Sequence, residues 1–334
     1  MKLDDPARTP FFEKAIIKRL NSAPGGPSSQ IVLDMGTGPF ALFSIIAADA
    51  GAGKVYAIEA NKDAARSARE TIKKAGYEDK ITVLEGFSTD ISLPDDVKAD
   101  FVVAEIIGSI ATEEGAFATL LDAHSRLVKD PNNASSWIPS RIQTFAAPAS
   151  YTLHNLFQPP AFDWTKLNGE PVRFNCRDQA LQLLADPVVV EDISFSNIRN
   201  EGSSGYLMSK RDIVFTVDGD RIEDNKSALY EELKRGQIGS KEAETVAESC
   251  GQSLSGIALW PRLVLDEDET IVVNSRRYPD GAHQRSHWQT VLPIMSPTPI
   301  PVQQGSKIAL STNFKIPFNI IEPAKYNLEG DVKK

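Results

Sequence analysis

The chain has 334 residues, 41% hydrophobic and 24% charged, with a formal net charge of −9, a globular composition with room for two domains or one large one. No apolar run reaches the roughly 18 residues that cross a bilayer, the mixed acidic N-terminus is unlike a signal or transit peptide, and the acidic balance lacks the broad basic surface that grips nucleic acid. Two distant cysteines, Cys176 and Cys250, exclude a disulfide scaffold and a zinc site and fit a reducing cytoplasm or nucleus; neither membrane, nucleic acid nor metal is expected, while a basic substrate suits the charge.

The first half alternates strand-like and helix-like segments. "QIVLDMG" reads as a strand, "ALFSIIAADAGAG" as a helix with a glycine stop, and "KVYAIEA" as a second strand. "NKDAARSARETIKKAGY" is an amphipathic helix, with Asn61 as its cap, Ala65, Ala68 and Ile72 on one side, and Gly76 as its end. "KITVLEG" and "ADFVVAE" are further strands, "FATLLDAHSRLV" a helix and "IQTFAAPAS" a strand. Such alternation predicts an α/β domain with a doubly wound, mainly parallel Rossmann-like sheet over residues 1–140, whose ligands sit at the carboxyl ends of the strands.

The Pro-, Asn- and Ser-rich "DPNNASSWIPS" marks the boundary. Residues 141–334 carry short strands between turn residues, the pattern of an antiparallel β-barrel or sandwich. Residues 225–251 interrupt it with two helix-like stretches, "SALYEELKRG" and "SKEAETVAESCG", each with a serine start and a glycine stop. No internal repeat and no low-complexity segment is visible.

Asp34, Gly36 and Gly38 form D-x-G-x-G at the end of the first strand, and Glu59, followed by Ala60, ends the second. Glycines there let backbone approach a ligand, and an acid at the second strand's end can accept both hydroxyls of a ribose. Ala41 stands at the third glycine position of the dinucleotide fingerprint, an allowed variant, so NAD stays open, as does a tight turn with no ligand. The pattern resembles the S-adenosylmethionine site of class I methyltransferases. In that reading "EGFSTD" supplies the adenine wall near Ser88 and Thr89.

"AEIIGSIATEEG", from Ala104 to Gly115, sets Glu105 at the carboxyl end of the fourth strand and Glu114 nine positions later. Two carboxylates around one pocket can grip a guanidinium, a planar cation with five N–H donors, through bidentate bonds. Glu113 reads as a solvated neighbour. His124, His154 and His283 read as structural, Trp137, Trp164 and Trp260 as packing residues, and the cysteines as plain thiols.

This acid loop resembles the double-glutamate loop of the protein arginine methyltransferases, and its "EIIGSIA" form is closest to the symmetric-dimethylating branch. Three more segments agree in order. "LDDPARTPFFEKAI" is similar to the family's N-terminal D-x-x-R-T segment, "WIPSRIQTFAAPAS" to its entry into the barrel, and "SHWQTVLPI" to its T-H-W loop with Ser286 in place of threonine. The resemblance implies S-adenosylmethionine as cofactor, Glu105 and Glu114 as guanidinium ligands, and Arg8 on the cofactor carboxylate. It implies Glu59 on the ribose, His287 paired with Asp5 near the acids, and Trp288 along the arginine channel. It also implies a homodimer, with residues 151–185 as the arm.

The pattern departs from the family in places. Only four residues precede Asp5, so the family's cofactor lid is absent or supplied elsewhere, with the 225–251 insertion as a candidate substitute or dimer contact. Ala116 stands where asymmetric enzymes carry methionine, and Phe11 and Phe12 fall where a phenylalanine marks symmetric methylation. The expected substrate is arginine in a protein or peptide, or alternatively free arginine or another small guanidine. A silent partner subunit, or methylation of another cation or an oxygen, remain as further alternatives.

Overall fold

The computed structural model describes residues 8–175, 180–198, 205–276 and 287–333. Asp5, Cys176, His283 and Ser286 lie outside them.

The first half folds around a five-stranded parallel sheet of order β3-β2-β1-β4-β5. Its strands are β1 (Ile31–Met35), β2 (Lys54–Glu59), β3 (Ile81–Glu85), β4 (Phe101–Ala104) and β5 (Trp137–Ile138). The helices are α1 (Thr9–Asn21), α2 (Leu42–Asp49), α3 (Lys62–Ala75) and α4 (Ala116–Arg126). In α3 the expected signals are all in place. Asn61 Oδ1 accepts from the Asp63 and Ala64 N–H groups, Gly76 ends the helix at φ +77°, and Ala65, Ala68 and Ile72 are buried. No side-chain cap marks the start of α1. It is held instead by its buried face, where Phe12 stacks on Phe43 of α2 at 4.7 Å.

Register positions the site. Met35 pairs with Ile58 on one side and with Ala104 on the other. Gly36, Glu59 and Glu105 are therefore neighbouring residues at, or one step past, the carboxyl edge of three adjacent strands.

The second half is antiparallel. It comprises β6 (Arg141–Tyr151), α5 (Thr152–Leu156), β7 (Val172–Asn175), β8 (Leu181–Leu183), β9 (Val188–Ser194), β10 (Tyr206–Thr216), α6 (Gly219–Arg235) and α7 (Ser240–Gly251). Then come β11 (Ser253–Leu254), β12 (Gly256–Val264), β13 (Val272–Asn274), β14 (Gln289–Leu292), β15 (Ile300–Pro301), β16 (Lys307–Pro317) and β17 (Lys325–Lys333). A sheet of order β7-β14-β12-β6-β8, with β9 and β13 added, and a second sheet β10-β16-β17 share one core that includes Ala146, Val190, Phe215, Leu259, Val291 and Phe314. This is the expected Rossmann-like domain followed by a β-barrel or sandwich.

Two readings of the sequence differ from the structure. The helical insertion starts at Gly219, where the Asp218 side chain accepts from the Asp220 and Arg221 N–H groups, rather than near residue 225. Strand β17 was not read from the sequence. The 151–185 stretch is woven into the barrel, since β7 pairs with β14 and β8 with β6, although Leu153, Leu156, Phe157 and Phe162 remain exposed.

Candidate active site

The turn after β1 is built around a buried acid. Asp34 Oδ2 accepts from the hydroxyls of Thr37 and Ser44, both at 2.6 Å, and from the Ser44 N–H at 3.0 Å. Desolvation pushes its carboxyl up to about 6 against these three bonds. Asp34 thus ties the turn together from inside and does not line the cavity below. Gly36 and Gly38 take φ values of +74° and +67°, and a Cβ on Gly36 would stand 2.7 Å from Ile106 Cγ2, so a side chain is excluded there. The Gly38 N–H donates to Glu59 Oε2 at 2.9 Å, and the Asn61 N–H donates to Oε1 at 2.8 Å. One backbone donor on each oxygen fixes the carboxylate and leaves lone pairs for two adjacent hydroxyls.

A cavity of about 500 Å³ opens from this edge. Gly36, Glu59, Ala60 and Ser88 line one end, and Thr112, Glu113 and Glu114 line another. The far wall comes from the barrel, through Ile320 to Ala324 in the β16–β17 connection. Gly38 and Thr89 are not on the wall, and neither is the helical insertion, which packs its Ala247 and Cys250 against Leu229 instead. Ser88 is held by a residue the sequence did not flag. Arg126, forked onto Asp122 at 2.8 and 2.6 Å, donates to the Ser88 carbonyl at 3.0 Å and the Ile91 carbonyl at 3.1 Å.

The two acids of the loop stand in different surroundings. Glu105 is buried; the Arg8 guanidinium donates to its Oε2, and His287 Nε2 lies 3.5 Å from its Oε1. Glu114 is exposed on the cavity wall. Arg8, expected on a cofactor carboxylate, has its guanidinium on Glu105, and Asp5, the expected partner of His287, lies outside the described residues.

Between the two acids the loop is stapled to the barrel. Trp288, expected along an arginine channel, is only 2% exposed and donates its indole N–H to the Ile107 carbonyl at 2.8 Å. The Gln289 N–H donates to Ser109 Oγ at 3.0 Å, and the Ala111 N–H to Thr144 Oγ1 at 3.0 Å. A Cβ on Gly108 would meet Glu113 Cβ at 2.6 Å, so the bend needs glycine. Glu113 is not the solvated neighbour its sequence context predicts. Both terminal guanidinium nitrogens of Arg173, on β7, donate to it.

Chemically, the pinned acid Glu59 and the glycine turn share one chamber with the exposed carboxylate of Glu114, while the buried Glu105, which holds the Arg8 guanidinium, is not on its wall. Among the described residues no group of three or more His, Cys, Asp or Glu could hold a metal ion, and no helix is long and apolar enough to cross a membrane.

Comparison with known proteins agrees with this geometry. A family model described as ribosomal protein L11 methyltransferase (PrmA) matches residues 17–130. Protein arginine N-methyltransferase 7 of Gallus gallus is 27% identical over 324 residues, covering 92% of this chain and 43% of the relative. Probable protein arginine N-methyltransferase 6 of Arabidopsis thaliana is 31% identical over 149 residues, covering 45% of this chain and 32% of the relative. The chain thus spans less than half the length of these relatives. The crystal structure of Arabidopsis thaliana protein arginine methyltransferase 10 superposes with a TM-score of 0.65 at 20% identity, covering 99% of this chain and 95% of that one. The Trypanosoma brucei PRMT1 enzyme–prozyme heterotetrameric complex with AdoHcy gives 0.64 at 16% identity, covering 99% and 96%. The chain is thus similar to protein arginine N-methyltransferases over 92% of its length and shares the fold of the two solved arginine methyltransferase structures, a Rossmann-like methyltransferase domain followed by a β-barrel.

Proposed function

We propose that this chain is an S-adenosylmethionine-dependent N-methyltransferase that methylates the guanidino group of arginine in a protein or peptide. The observation that carries the reading is the single cavity that takes in Gly36, Glu59 and Ser88 together with Glu114. The names of the relatives, and the AdoHcy of the trypanosome complex, support it. The residues fit the cofactor: backbone opens at the glycine turn, Glu59 is pinned with lone pairs to spare, and the cavity has the volume for an adenosine.

The bound cofactor supplies an electrophilic methyl on a sulfonium. This chain's residues bind, orient and accept the proton. Glu59 holds the ribose hydroxyls and Ser88 the adenine side. Arg8 serves the cofactor carboxylate, beside its bond to Glu105. Glu105 and Glu114 hold the guanidinium from two sides, which draws positive charge towards the carboxylates and leaves the opposite nitrogen with its lone pair. Burial of Glu105 strengthens that effect. The proton released from the methylated nitrogen passes to a carboxylate or to His287. Trp288 acts from beneath, by fixing the loop. A homodimer is part of the proposal, supported by the exposed Leu153, Leu156, Phe157 and Phe162 beside α5.

Incubation with labelled S-adenosylmethionine, an arginine–glycine-rich peptide and free arginine tests the function. Label in the peptide is expected. Label in free arginine alone would overturn the protein-substrate assignment, and label in neither would overturn the whole reading.

A further inference from the structure

We propose that Glu191, a buried carboxylate of the barrel, is a positioning residue for the acid loop, holding it in place through the hydroxyl of Thr112. Glu191 lies on β9 and is fully inaccessible to solvent. Thr112 Oγ1 donates to its Oε1 at 2.5 Å, across 79 positions of chain, and Thr144 Oγ1 on β6 donates to its Oε2 at 2.6 Å. The Thr112 backbone N–H is directed at the same carboxylate.

The donor order then follows from valence. Each threonine hydroxyl has one proton, and both protons point at Glu191. Tyr326 of β17, whose hydroxyl lies 2.9 Å from Thr112 Oγ1, must therefore donate to it. The Ala111 N–H likewise donates to Thr144 Oγ1. Two consecutive loop residues thus converge on one carboxylate, Ala111 by way of Thr144 on β6 and Thr112 directly, two positions before Glu114.

Such a group is costly as a mere core filler. Its partners are hydroxyls and a backbone N–H rather than a cation, and burial raises its pKa. An acceptor-only side chain is what this place requires: it takes two hydroxyl protons at once and so imposes one orientation on Thr112. Glutamine would present a donor to one of the two threonines and break that order. Thr112 lines the same cavity as Glu114, so its orientation reaches the substrate end directly.

The proposal rests on the proposed function only in naming what Glu114 binds. Its test measures amide hydrogen exchange across residues 109–115, in the full chain, for wild type, Glu191→Gln, Thr112→Val and Thr112→Ser. Exchange in that segment is expected to speed up about ten-fold or more in Glu191→Gln and Thr112→Val, the effect of losing a hydrogen bond to a charged group. It should stay at the wild-type rate in Thr112→Ser, which keeps the hydroxyl, and residues 31–35 and 54–59 should not change in any variant. Where methyl transfer is measurable, kcat should fall in the first two variants with cofactor affinity unchanged. Unchanged loop exchange in folded Thr112→Val would overturn the proposal, as would acceleration spread evenly over the barrel. If Glu191→Gln fails to fold, the Val and Ser pair decides alone. If wild type transfers no methyl group, the exchange data still decide this inference, and only the functional reading fails.

Discussion

Arg8 sets its guanidinium on the carboxylate of Glu105, with 97 positions of chain between them and both side chains almost wholly out of water. A buried carboxylate at the end of a strand is tolerable because a cation answers it. The acid expected to bind a guanidinium therefore binds one already, from the chain itself, while His287 faces its other oxygen at 3.5 Å.

Breaking one half of this pair should cost more stability than breaking both. Arg8→Met removes the guanidinium from the buried Glu105 and leaves His287 beside it, at a cost of up to about 3–5 kcal/mol. Adding Glu105→Gln should recover part of that loss. Denaturant melts of the two single variants and the double variant measure it. A double variant less stable than Arg8→Met would show that the charges are not coupled.

Adjacent acids should behave differently. Glu113 is joined to Arg173 at a partly exposed site, so Glu113→Gln should cost no more than about 1 kcal/mol of stability. Its effect on rate should be small. Glu114→Gln should lose on the order of 10² in kcat/KM, as other preorganised electrostatic groups do, with its melting curve unchanged. A larger loss in Glu113→Gln than in Glu114→Gln would exchange their roles.

Asp34 should make its own mark on pH-dependent stability. Burial raises its carboxyl from 3.8 to about 6, so the folded chain holds that proton more tightly than the unfolded one. Its contribution is full below pH 3.8 and is lost as the pH climbs towards 6. Asparagine does not titrate. Asp34→Asn should therefore gain on wild type across that window, by up to about 3 kcal/mol. Melts at stepped pH would show it, and a constant difference between the two proteins would refute it.

The barrel hairpin on the cavity wall should contribute to cofactor affinity. Asn319 Oδ1 accepts from the Ile321 and Glu322 N–H groups at 3.0 and 2.9 Å, and Phe318 packs on Phe117 of α4 at 5.8 Å. This ordered tip presents Ile321, 89% exposed, to the same cavity as the exposed Phe87. Ile321→Ser should weaken binding of S-adenosylhomocysteine about three- to ten-fold, as expected for one partly buried apolar contact. An unmoved Kd by calorimetry would remove the hairpin from the cofactor's surroundings.

What the sequence disclosed was local or regularly spaced. Asp34, Gly36, Gly38 and Glu59 announce themselves because a strand end, a tight turn and an acid recur at short range, and Asn61 and Gly76 bound α3 by capping chemistry. Arg173, Glu191, Thr144 and Tyr326 gave no such sign. Their meaning comes from pairings across 33 to 214 positions, which no local pattern encodes. Glu113 was misread for the same reason, because its cation lies on a strand 60 positions away. Helix α1 was legible in the apolar spacing of Phe12, Ala15, Ile16 and Leu20, though no side-chain cap marks its start, and the Asp218 cap accounts for the early start of α6.

The most direct test of the account is tandem mass spectrometry of an arginine–glycine-rich peptide after incubation with S-adenosylmethionine and wild type, Glu105→Gln or Glu114→Gln. Wild type should place methyl groups on arginine guanidino nitrogens, and each variant should lose on the order of 10² in their formation. Methyl groups on any other side chain, or undiminished arginine methylation by either variant, would contradict it.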